Sequence, residues 1–274
     1  MTNGISRWHS SRMLVLAMTA TAALAAMEPA MSASIDATIK SAPRADTIQT
    51  SEGVVEIYAV HHASLVLSVK GKHIFVDPAP LEEKSNAIAE YKALPKPDVI
   101  IYTHSHYDHF NAGVLEAIVT PETEIVAPAD VAAQTPAGLR ARVKVMGYGD
   151  KTTVLGYALE AVAMYNTTPA HAKFHPKGFG NGYVLAIGGK RIYIAGDTEQ
   201  TPENAHIPAI DVAFVPVNQP YTLTVEGAAA WLKDFHPRVV YPYHFRNADG
   251  SFSDLAALKK DAGTASDVRL LRWY

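Results

Sequence analysis

The chain has 274 residues, 48% of them hydrophobic and 19% charged, which excludes a wholly disordered or collagen-like protein. Lysine and arginine total 24 against 27 acidic residues, so the net charge of −3 does not favour nucleic acid as a partner. The sequence contains no cysteine, which excludes disulfides, Cys-ligated zinc, iron–sulfur clusters and thiol nucleophiles. It contains 12 histidines, and these are placed unevenly.

Residues 1–33 have the pattern of a secretory signal peptide. Arg7 and Arg12 precede the apolar stretch 13–26, which is shorter than the ~20 residues that span a bilayer, and small residues follow it. Cleavage would remove Arg7, Arg12 and Glu28 and make the remaining chain slightly more acidic. We expect a periplasmic or secreted protein without a stable membrane anchor; an uncleaved anchor or a core helix is the alternative.

Residues 34–52 lack a clear hydrophobic period and are interpreted as an N-terminal linker or arm. Apolar and β-branched runs then predict strands over Val54–Val60, Ser64–Val69, His73–Asp77, Val99–Tyr102, Glu124–Ala127, Val143–Met146, Thr152–Leu155, Tyr157–Met164, Gly182–Ile187, Arg191–Ala195, Asp211–Val215, Val239–Tyr241 and Val268–Trp273. Helical spacing predicts helices over Leu81–Leu94, Gly113–Val119, Ala129–Gln134, Val225–Phe235 and Ser253–Lys260, the last capped by Ser251 or Ser253.

The order of these elements predicts an α/β (α+β) fold in one domain over residues 53–274. Many adjacent strands have no helix between them, which favours two packed sheets with helices outside. A doubly wound parallel sheet is the alternative.

Three histidines and one aspartate lie within residues 104–109, directly after the apolar run Val99–Tyr102. Alternate side chains at a strand end point the same way, so His104 and His106 can reach one ion. Asp108 and His109 diverge as the chain turns and can reach a second ion. Imidazole and carboxylate groups are natural ligands of zinc and similar cations, so this cluster favours a metal site over a solvated loop.

Further candidate ligands follow other predicted core strands. Asp197 stands after a strand and a glycine, where a carboxylate can bridge two ions; a turn or helix-cap aspartate is the alternative. His244 also follows a strand, and His171 and His175 lie in the loop 167–180. Each histidine alone is more often structural, but together the candidates share one location, the loops after core strands.

The segment His104-Ser105-His106-Tyr107-Asp108-His109 resembles the HxHxDH motif of the metallo-β-lactamase-fold hydrolases. Gly196-Asp197-Thr198 and Pro242-Tyr243-His244 are similar to the bridging aspartate and final histidine of that superfamily, in the right order. The resemblance spans nearly the whole chain after residue 53. Three further segments look like the branch that contains ascorbate-6-phosphate lactonase: Val60-His61-His62-Ala63-Ser64, Phe75-Val76-Asp77-Pro78 and Phe174-His175-Pro176-Lys177-Gly178.

The resemblance implies a four-layer αβ/βα sandwich with two zinc ions, or Mn²⁺ or Fe²⁺, at the sheet edges. The implied ligands are His104, His106 and His175 for the first ion, Asp108, His109 and His244 for the second, and Asp197 as the bridge. His171 is the alternative to His175. Many relatives carry a histidine where this chain has Asn166, which departs from the pattern of the first ion.

The expected activity is hydrolysis of a small ester, lactone or amide by a metal-bridging hydroxide, with Asp108 accepting a hydrogen bond from that nucleophile. Asp77 is interpreted as an acceptor for the N–H of a ligand imidazole and His62 as a pocket residue; turn residues are the alternative for both. A phosphodiesterase or phospholipase D-type hydrolase is the second hypothesis, which a basic pocket residue such as Lys173, Lys177 or Arg246 would favour. A non-catalytic metal-binding protein is the third. The oligomeric state is left open.

Overall fold

The computed structural model describes residues 39–80 and 87–274. The predicted signal peptide lies outside the described residues, as does the start of the helix predicted over Leu81–Leu94. Within the described ranges, no helix is both long enough and apolar enough to cross a membrane. The strands of these ranges form two seven-stranded sheets.

The first sheet contains the N-terminal strands in sequence order. They are β1 (Ala45–Thr50), β2 (Gly53–His61), β3 (Ser64–Val69), β4 (Lys72–Val76), β5 (Val99–Ile101), β6 (Glu124–Ala127) and β7 (Val143–Val145). Strands β1 to β4 pair antiparallel, whereas β4 to β7 pair in parallel. The carboxyl ends of β4 and β5 therefore lie side by side at one end of the sheet.

The second sheet repeats this plan with the C-terminal strands. They are β8 (Lys151–Val154), β9 (Tyr157–Met164), β10 (Gly180–Ile187), β11 (Lys190–Ile194), β12 (Val212–Pro216), β13 (Val239–Tyr243) and β14 (Asp267–Val268). Strands β8 to β11 pair antiparallel and β11 to β14 in parallel. This order excludes the doubly wound parallel sheet.

After residue 80 the described ranges contain the helices α1 (Ala87–Ala93), α2 (Ala112–Ile118), α3 (Ala129–Gln134), α4 (Ala137–Arg140), α5 (Val225–Phe235) and α6 (Leu255–Ala262). Thr224 caps α5 by accepting a hydrogen bond from the Gly227 N–H at 2.9 Å. Asp254 caps α6 in the same way through the Ala257 N–H, also at 2.9 Å. The prediction that Ser251 or Ser253 caps this last helix was wrong, because the capping residue is Asp254, which lies one to three positions later.

The four layers follow from the alternation of side chains along the strands. In β3, Leu65 and Leu67 belong to the core between the two sheets, whereas Val66 faces the other way. Val66 packs in a second apolar cluster with Tyr91 of α1 and Leu115 of α2. Helices α5 and α6 supply the corresponding outer layer of the second sheet. Each fully buried aliphatic side chain contributes roughly 1.5–3 kcal/mol to the stability of this sandwich.

Two sequence predictions need correction. The linker predicted over 34–52 contains β1, an edge strand in which exposed and half-buried residues alternate. Its sequence lacks an apolar stripe because neither face of the strand is fully buried. The final strand predicted over Val268–Trp273 is only β14, Asp267–Val268. The residues after it continue as a packed segment in which the Arg272 N–H donates to the Pro43 carbonyl at 2.8 Å.

Candidate metal centre

The candidate ligands meet where the two sheets present the carboxyl ends of their parallel strands. Asp77 follows β4, residues 103–109 follow β5, Asp197 follows β11 and His244 follows β13. His175 arrives from the loop between β9 and β10. Strand ends fix the backbone at each of these points, so the side chains start from rigid positions.

The first group contains His104, His106 and His175. Their ligand atoms lie within 4.8 Å of one another, and His104 Nε2 is 3.1 Å from His106 Nδ1. His104 and His175 are buried, whereas His106 is half-buried and faces the cavity. The other ring nitrogen of His104 lies 3.0 Å from the Thr103 hydroxyl, which orients the ring. Three imidazoles so arranged form a suitable face for one divalent cation.

The second group contains Asp108, His109 and His244, joined by His62. His244 Nε2 lies 3.6 Å from Asp108 Oδ2, and His62 Nε2 lies 2.9 Å from the same oxygen. All of the imidazole rings in this group are buried. His244 and His62 both have positive φ angles, 46° and 55°, which turn their side chains back toward the strand ends.

Asp197 lies between the two groups. Its Oδ1 is 3.3 Å from His109 Nε2. Its Oδ2 is 3.4 Å from His175 Nε2 and 3.2 Å from His244 Nε2. One carboxylate thus faces imidazoles of both groups, as a bridging ligand must.

Several buried atoms around Asp197 have no hydrogen-bond partner among the described residues. They are His109 Nε2, His175 Nε2, His244 Nε2 and Asp197 Oδ1. A buried polar atom without a partner costs about 1–3 kcal/mol, so a cluster of four aimed at one region needs something to satisfy it. Imidazole nitrogens and carboxylate oxygens are zinc-type donors. The residues present therefore fit the divalent cations that the motif implies.

Asp77 orients His109 from behind. Its Oδ2 accepts from His109 Nδ1 at 2.8 Å and from the Thr103 hydroxyl at 2.6 Å, while its Oδ1 accepts from the Thr103 N–H at 2.7 Å. Both Asp77 and His109 have 0% exposure. Because Nδ1 of His109 is occupied in this way, its Nε2 is the nitrogen that faces Asp197.

The pKa values of the cluster are shifted either by burial or by charged neighbours, depending on the residue. Burial raises the pKa of Asp197, but the imidazoles of His244 and His109 outweigh burial and hold the pKa of this carboxyl well below its usual value. Burial lowers the pKa of His175 to about 4, more than Asp197 raises it. For His244 burial is outweighed by Asp197 and Asp108, which raise its pKa to about 9. Asp197 is therefore ionised and His175 is neutral at neutral pH.

His171 and Asn166 lie next to the cluster without joining it. His171 Nδ1 is 2.7 Å from Glu199 Oε1, so this alternative third ligand is held by a carboxylate instead. Asn166 donates to the Tyr221 carbonyl at 2.7 Å and to the His171 carbonyl at 3.1 Å. These contacts fix the loop from which His175 reaches the first group.

Two adjoining cavities open onto the candidate ligands. One, about 270 Å³, is lined by His106, Tyr107, Asp108, Phe174, His175, Asp197, Tyr221 and His244. The other, about 310 Å³, is lined by His62, Tyr107, Asp108, Asn218, Tyr221, His244, Arg246, Asn247, Ala248 and Gly250. Asp108 and His244 border both. Of the three cations considered from the sequence, Lys177 pairs with Glu203 at 2.6 Å, Lys173 lies over Phe174, and Arg246 lines a cavity.

Sequence reasoning missed Thr103, Glu199 and Tyr274. Thr103 joins Asp77 to His104, and Glu199 accepts hydrogen bonds from His171 and from the Thr168 N–H. Tyr274 contacts His62 from 212 positions away in the sequence. Thr103 could have been proposed from its position beside the histidine motif. Nothing in the sequence pointed to Tyr274, because its contact with His62 depends on how the C-terminal segment packs.

Comparison with known proteins bears on the identity of this site. The family described as "Beta-lactamase superfamily domain" matches residues 56–244, more than half of the chain and all of the candidate ligands. The chain belongs to the β-lactamase superfamily. A UPF0173 metal-dependent hydrolase of Symbiobacterium thermophilum is 32% identical to this superfamily member over 187 residues, 64% of this chain and 79% of that protein.

Two further relatives of this superfamily member support the same assignment. A UPF0173 metal-dependent hydrolase of Pyrococcus abyssi is 28% identical over 225 residues, 80% of this chain and 97% of that protein. A crystal structure of a metal-dependent hydrolase from Parabacteroides distasonis matches with 37% identity and a TM-score of 0.74, covering 84% of this chain and 99% of that one. The chain is accordingly a metal-dependent hydrolase with the metallo-β-lactamase fold; the lactonase branch stays a prediction.

Gly196, at the exit of β11, should tolerate no side chain in this hydrolase. Its φ is +65°, and a Cβ would lie 2.5 Å from Met164 Sδ and 3.1 Å from Thr103 Cβ. We expect Gly196→Ala to lower the free energy of unfolding by about 1–3 kcal/mol in urea denaturation. Gly138→Ala is the matched control, because a Cβ there meets nothing within 4 Å. Equal midpoints for the two variants would contradict this account.

The metal-free hydrolase should be most stable near pH 6.5. The pKa values of His62 and His175, about 4 against 6.5 when unfolded, mean that stability falls as the pH drops from 6.5 toward 4. The pKa of His244, about 9, means that its contribution is complete below 6.5 and is lost as the pH rises toward 9. Urea midpoints in chelator across this range would measure both limbs. Burial lowers the pKa of His109, but Asp197 and Asp77 outweigh burial and raise it well above its usual value, so His109 contributes to the alkaline limb as well. His244→Asn, which suits the positive φ, should therefore make this limb shallower without abolishing it; an unchanged limb would contradict the assignment.

Proposed function

We propose that this cluster binds two divalent cations and that the protein hydrolyses a small ester, lactone or amide. The observation that carries the proposal is the position of Asp197, with Oδ1 3.3 Å from His109 Nε2 and Oδ2 3.4 Å from His175 Nε2. A structural site needs four ligands and no carboxylate between two groups, whereas a catalytic pair uses such a bridge.

The proposed ligands divide between the two cations as the geometry groups them. His104, His106 and His175 hold the first cation, Asp108, His109 and His244 hold the second, and Asp197 contacts both. Zinc is the proposed metal, with Mn²⁺ or Fe²⁺ as alternatives for the same donors. When bound, such cations supply Lewis acidity and make a water molecule acidic enough to attack at neutral pH.

Asp108 is the proposed catalytic residue. It borders both cavities, so its carboxylate reaches the region where a substrate carbonyl and the attacking water would meet. Burial raises its pKa, but the adjacent imidazoles of His244 and His62 outweigh burial and keep the pKa well below its usual value, so the carboxylate is ionised. In that state it accepts a hydrogen bond from the water and orients it.

The cavities support a small substrate. Their volumes of about 270 and 310 Å³ suit a small molecule better than a polymer. Phe174 and Tyr221, whose ring centroids are 4.9 Å apart, form an apolar wall beside the candidate ligands. Such a wall packs against the apolar part of a substrate while polar atoms face the cations.

Phosphodiester hydrolysis is the second candidate. Arg246 lines the larger cavity, and a guanidinium at that place would favour an acidic or phosphorylated substrate. The two candidates share one site and differ in the electrophile, which is carbon in the first and phosphorus in the second.

A substrate panel tests the proposed function. The zinc-loaded protein, the chelated protein and the chelated protein with zinc restored would be assayed against lactones, esters, amides and phosphodiesters. We expect turnover of a carbonyl substrate that chelator abolishes and zinc restores. Turnover of phosphodiesters alone would replace the first candidate with the second. Full metal occupancy without turnover across the panel would favour a non-catalytic metal-binding protein and overturn both.

A further inference from the structure

His62 occupies the turn between β2 and β3 and is fixed there by its backbone. Its N–H donates to the Trp273 carbonyl at 3.2 Å, and its carbonyl accepts from the His244 N–H at 3.0 Å. The preceding His61 points the other way, with Nε2 2.6 Å from the Ala79 carbonyl. The two adjacent histidines therefore serve different parts of the molecule, and only His62 faces the metal centre.

Both ring nitrogens of His62 have partners. Nε2 lies 2.9 Å from Asp108 Oδ2, and Nδ1 lies 2.8 Å from the Tyr274 hydroxyl. The same hydroxyl oxygen lies 3.3 Å from the Arg246 backbone N–H. The ring is buried and packs on His244, with centroids 3.7 Å apart, so it has little freedom to turn.

The number of donors and acceptors in this series of contacts determines which group donates each hydrogen bond. An ionised carboxylate only accepts, so Nε2 of His62 carries the proton and donates to Asp108. Nδ1 of the neutral ring is then an acceptor, and the Tyr274 O–H donates to it. The Tyr274 oxygen in turn accepts from the Arg246 N–H. Every group in the series is satisfied in this arrangement, and reversing the tautomer of His62 would leave Asp108 Oδ2 without its donor.

We propose that His62 and Tyr274 form a positioning pair for Asp108. His62 holds Oδ2 in a hydrogen bond and so fixes the orientation in which the Asp108 carboxylate faces His244, with which it would hold the second cation. Tyr274 fixes the tautomer of His62 that makes this hydrogen bond. The inference rests on the proposed function only in giving Asp108 a cation to bind; the hydrogen-bond chain itself is a property of the metal-free chain.

The competing role for His62 is that of a fourth protein ligand. Its ligand atom belongs to the same group as those of Asp108, His109 and His244. An Nε2 that donates a proton to Asp108 has no lone pair for a cation, so the two roles exclude each other. Tautomer and metal affinity therefore distinguish them.

The first measurement is the tautomer of His62 in the chelated protein, by ¹⁵N NMR of the imidazole nitrogens. We expect the Nε2–H tautomer in the wild type. We expect a mixture of the two tautomers in Tyr274→Phe, which keeps the ring but removes the donor to Nδ1 and the acceptor for the Arg246 N–H. An Nδ1–H tautomer in the wild type, or an unchanged spectrum in Tyr274→Phe, would overturn the proposal.

The second measurement is zinc affinity by chelator competition in the folded full-length protein. Loss of a residue that orients a ligand typically weakens metal binding by about 10–100-fold, and we expect this in His62→Ala for the second cation, which Asp108 would hold, while the first keeps its wild-type affinity. His62→Gln, whose side-chain amide can replace the Nε2 donor, should recover most of the loss. His206→Ala, at an exposed histidine, is the control and should bind as the wild type does.

The outcomes separate this inference from the proposed function. Complete loss of one cation in both His62 variants would make His62 a ligand and overturn the positioning role. Wild-type affinity in His62→Ala would overturn it as well. If the wild type itself binds no zinc, the proposed function fails, while the tautomer measurement still decides whether Tyr274 controls His62.

Discussion

Asp197→Asn is expected to lower kcat/KM about 10³-fold, the largest effect of any single substitution on turnover. The amide keeps the size of the side chain but loses the negative charge that faces both groups of imidazoles. Its nitrogen cannot take the place of a carboxylate oxygen next to His109 or His244. The assay would use the substrate found in the panel, with metal content measured on the same samples.

Asp98→Asn is the matched control for this substitution. Asp98 is also a hydrogen-bonded carboxylate, paired with Lys72 at 2.8 Å, but it precedes β5 and lies at the opposite end of that strand from the histidine motif. It should retain wild-type turnover and metal content. Comparable kcat/KM values for the two variants would contradict the bridging role of Asp197.

Asp77→Ala is expected to lower the free energy of unfolding by about 3–5 kcal/mol, the largest single effect on stability. The fully buried carboxylate accepts three hydrogen bonds, two from Thr103 and one from His109. Removing it leaves those donors buried without an acceptor. It also frees the ring of His109, so zinc affinity should fall as well, by about 10–100-fold.

The comparison for this prediction is Asp254→Ala, which removes the cap of α6. That aspartate accepts a single hydrogen bond at a half-buried helix end, so the expected cost is only about 1 kcal/mol. Urea denaturation of both metal-free variants would measure the difference. If Asp77→Ala cost no more than the cap variant, His109 would have to be oriented by something other than Asp77.

The candidate ligands could be predicted from the sequence where they are consecutive residues or directly follow a predicted strand. The residues from 104 to 109 needed no tertiary information, because six consecutive residues at a strand end stay together in any fold. Asp77, Asp197 and His244 could be proposed because each follows a continuous apolar run, and such runs become the parallel strands whose carboxyl ends meet. The layered fold followed from the same strands and from the resemblance that the histidine motif carries.

Contacts between distant segments were beyond sequence reasoning. His171 and His175 stand in one loop, and only the resemblance of segment 174–178 favoured His175; the contact of His171 with Glu199, which comes from another loop, could not be predicted. The role of Tyr274 depends on the packing of the C-terminal segment against the turn that carries His62. Strand β1 was not predicted, because an edge strand whose faces are only half-buried has no apolar stripe in its sequence.

The metal content per chain of protein purified without chelator is the most direct test of the proposed pair of cations. We expect about two divalent cations per chain in the wild type, and fewer in Asp197→Asn with the fold retained. A single cation in the wild type would indicate that the first group, which depends on the loop carrying Asn166 and His175, does not hold its cation. A folded wild-type protein that contains no metal, and takes up none when zinc is added, would contradict the account.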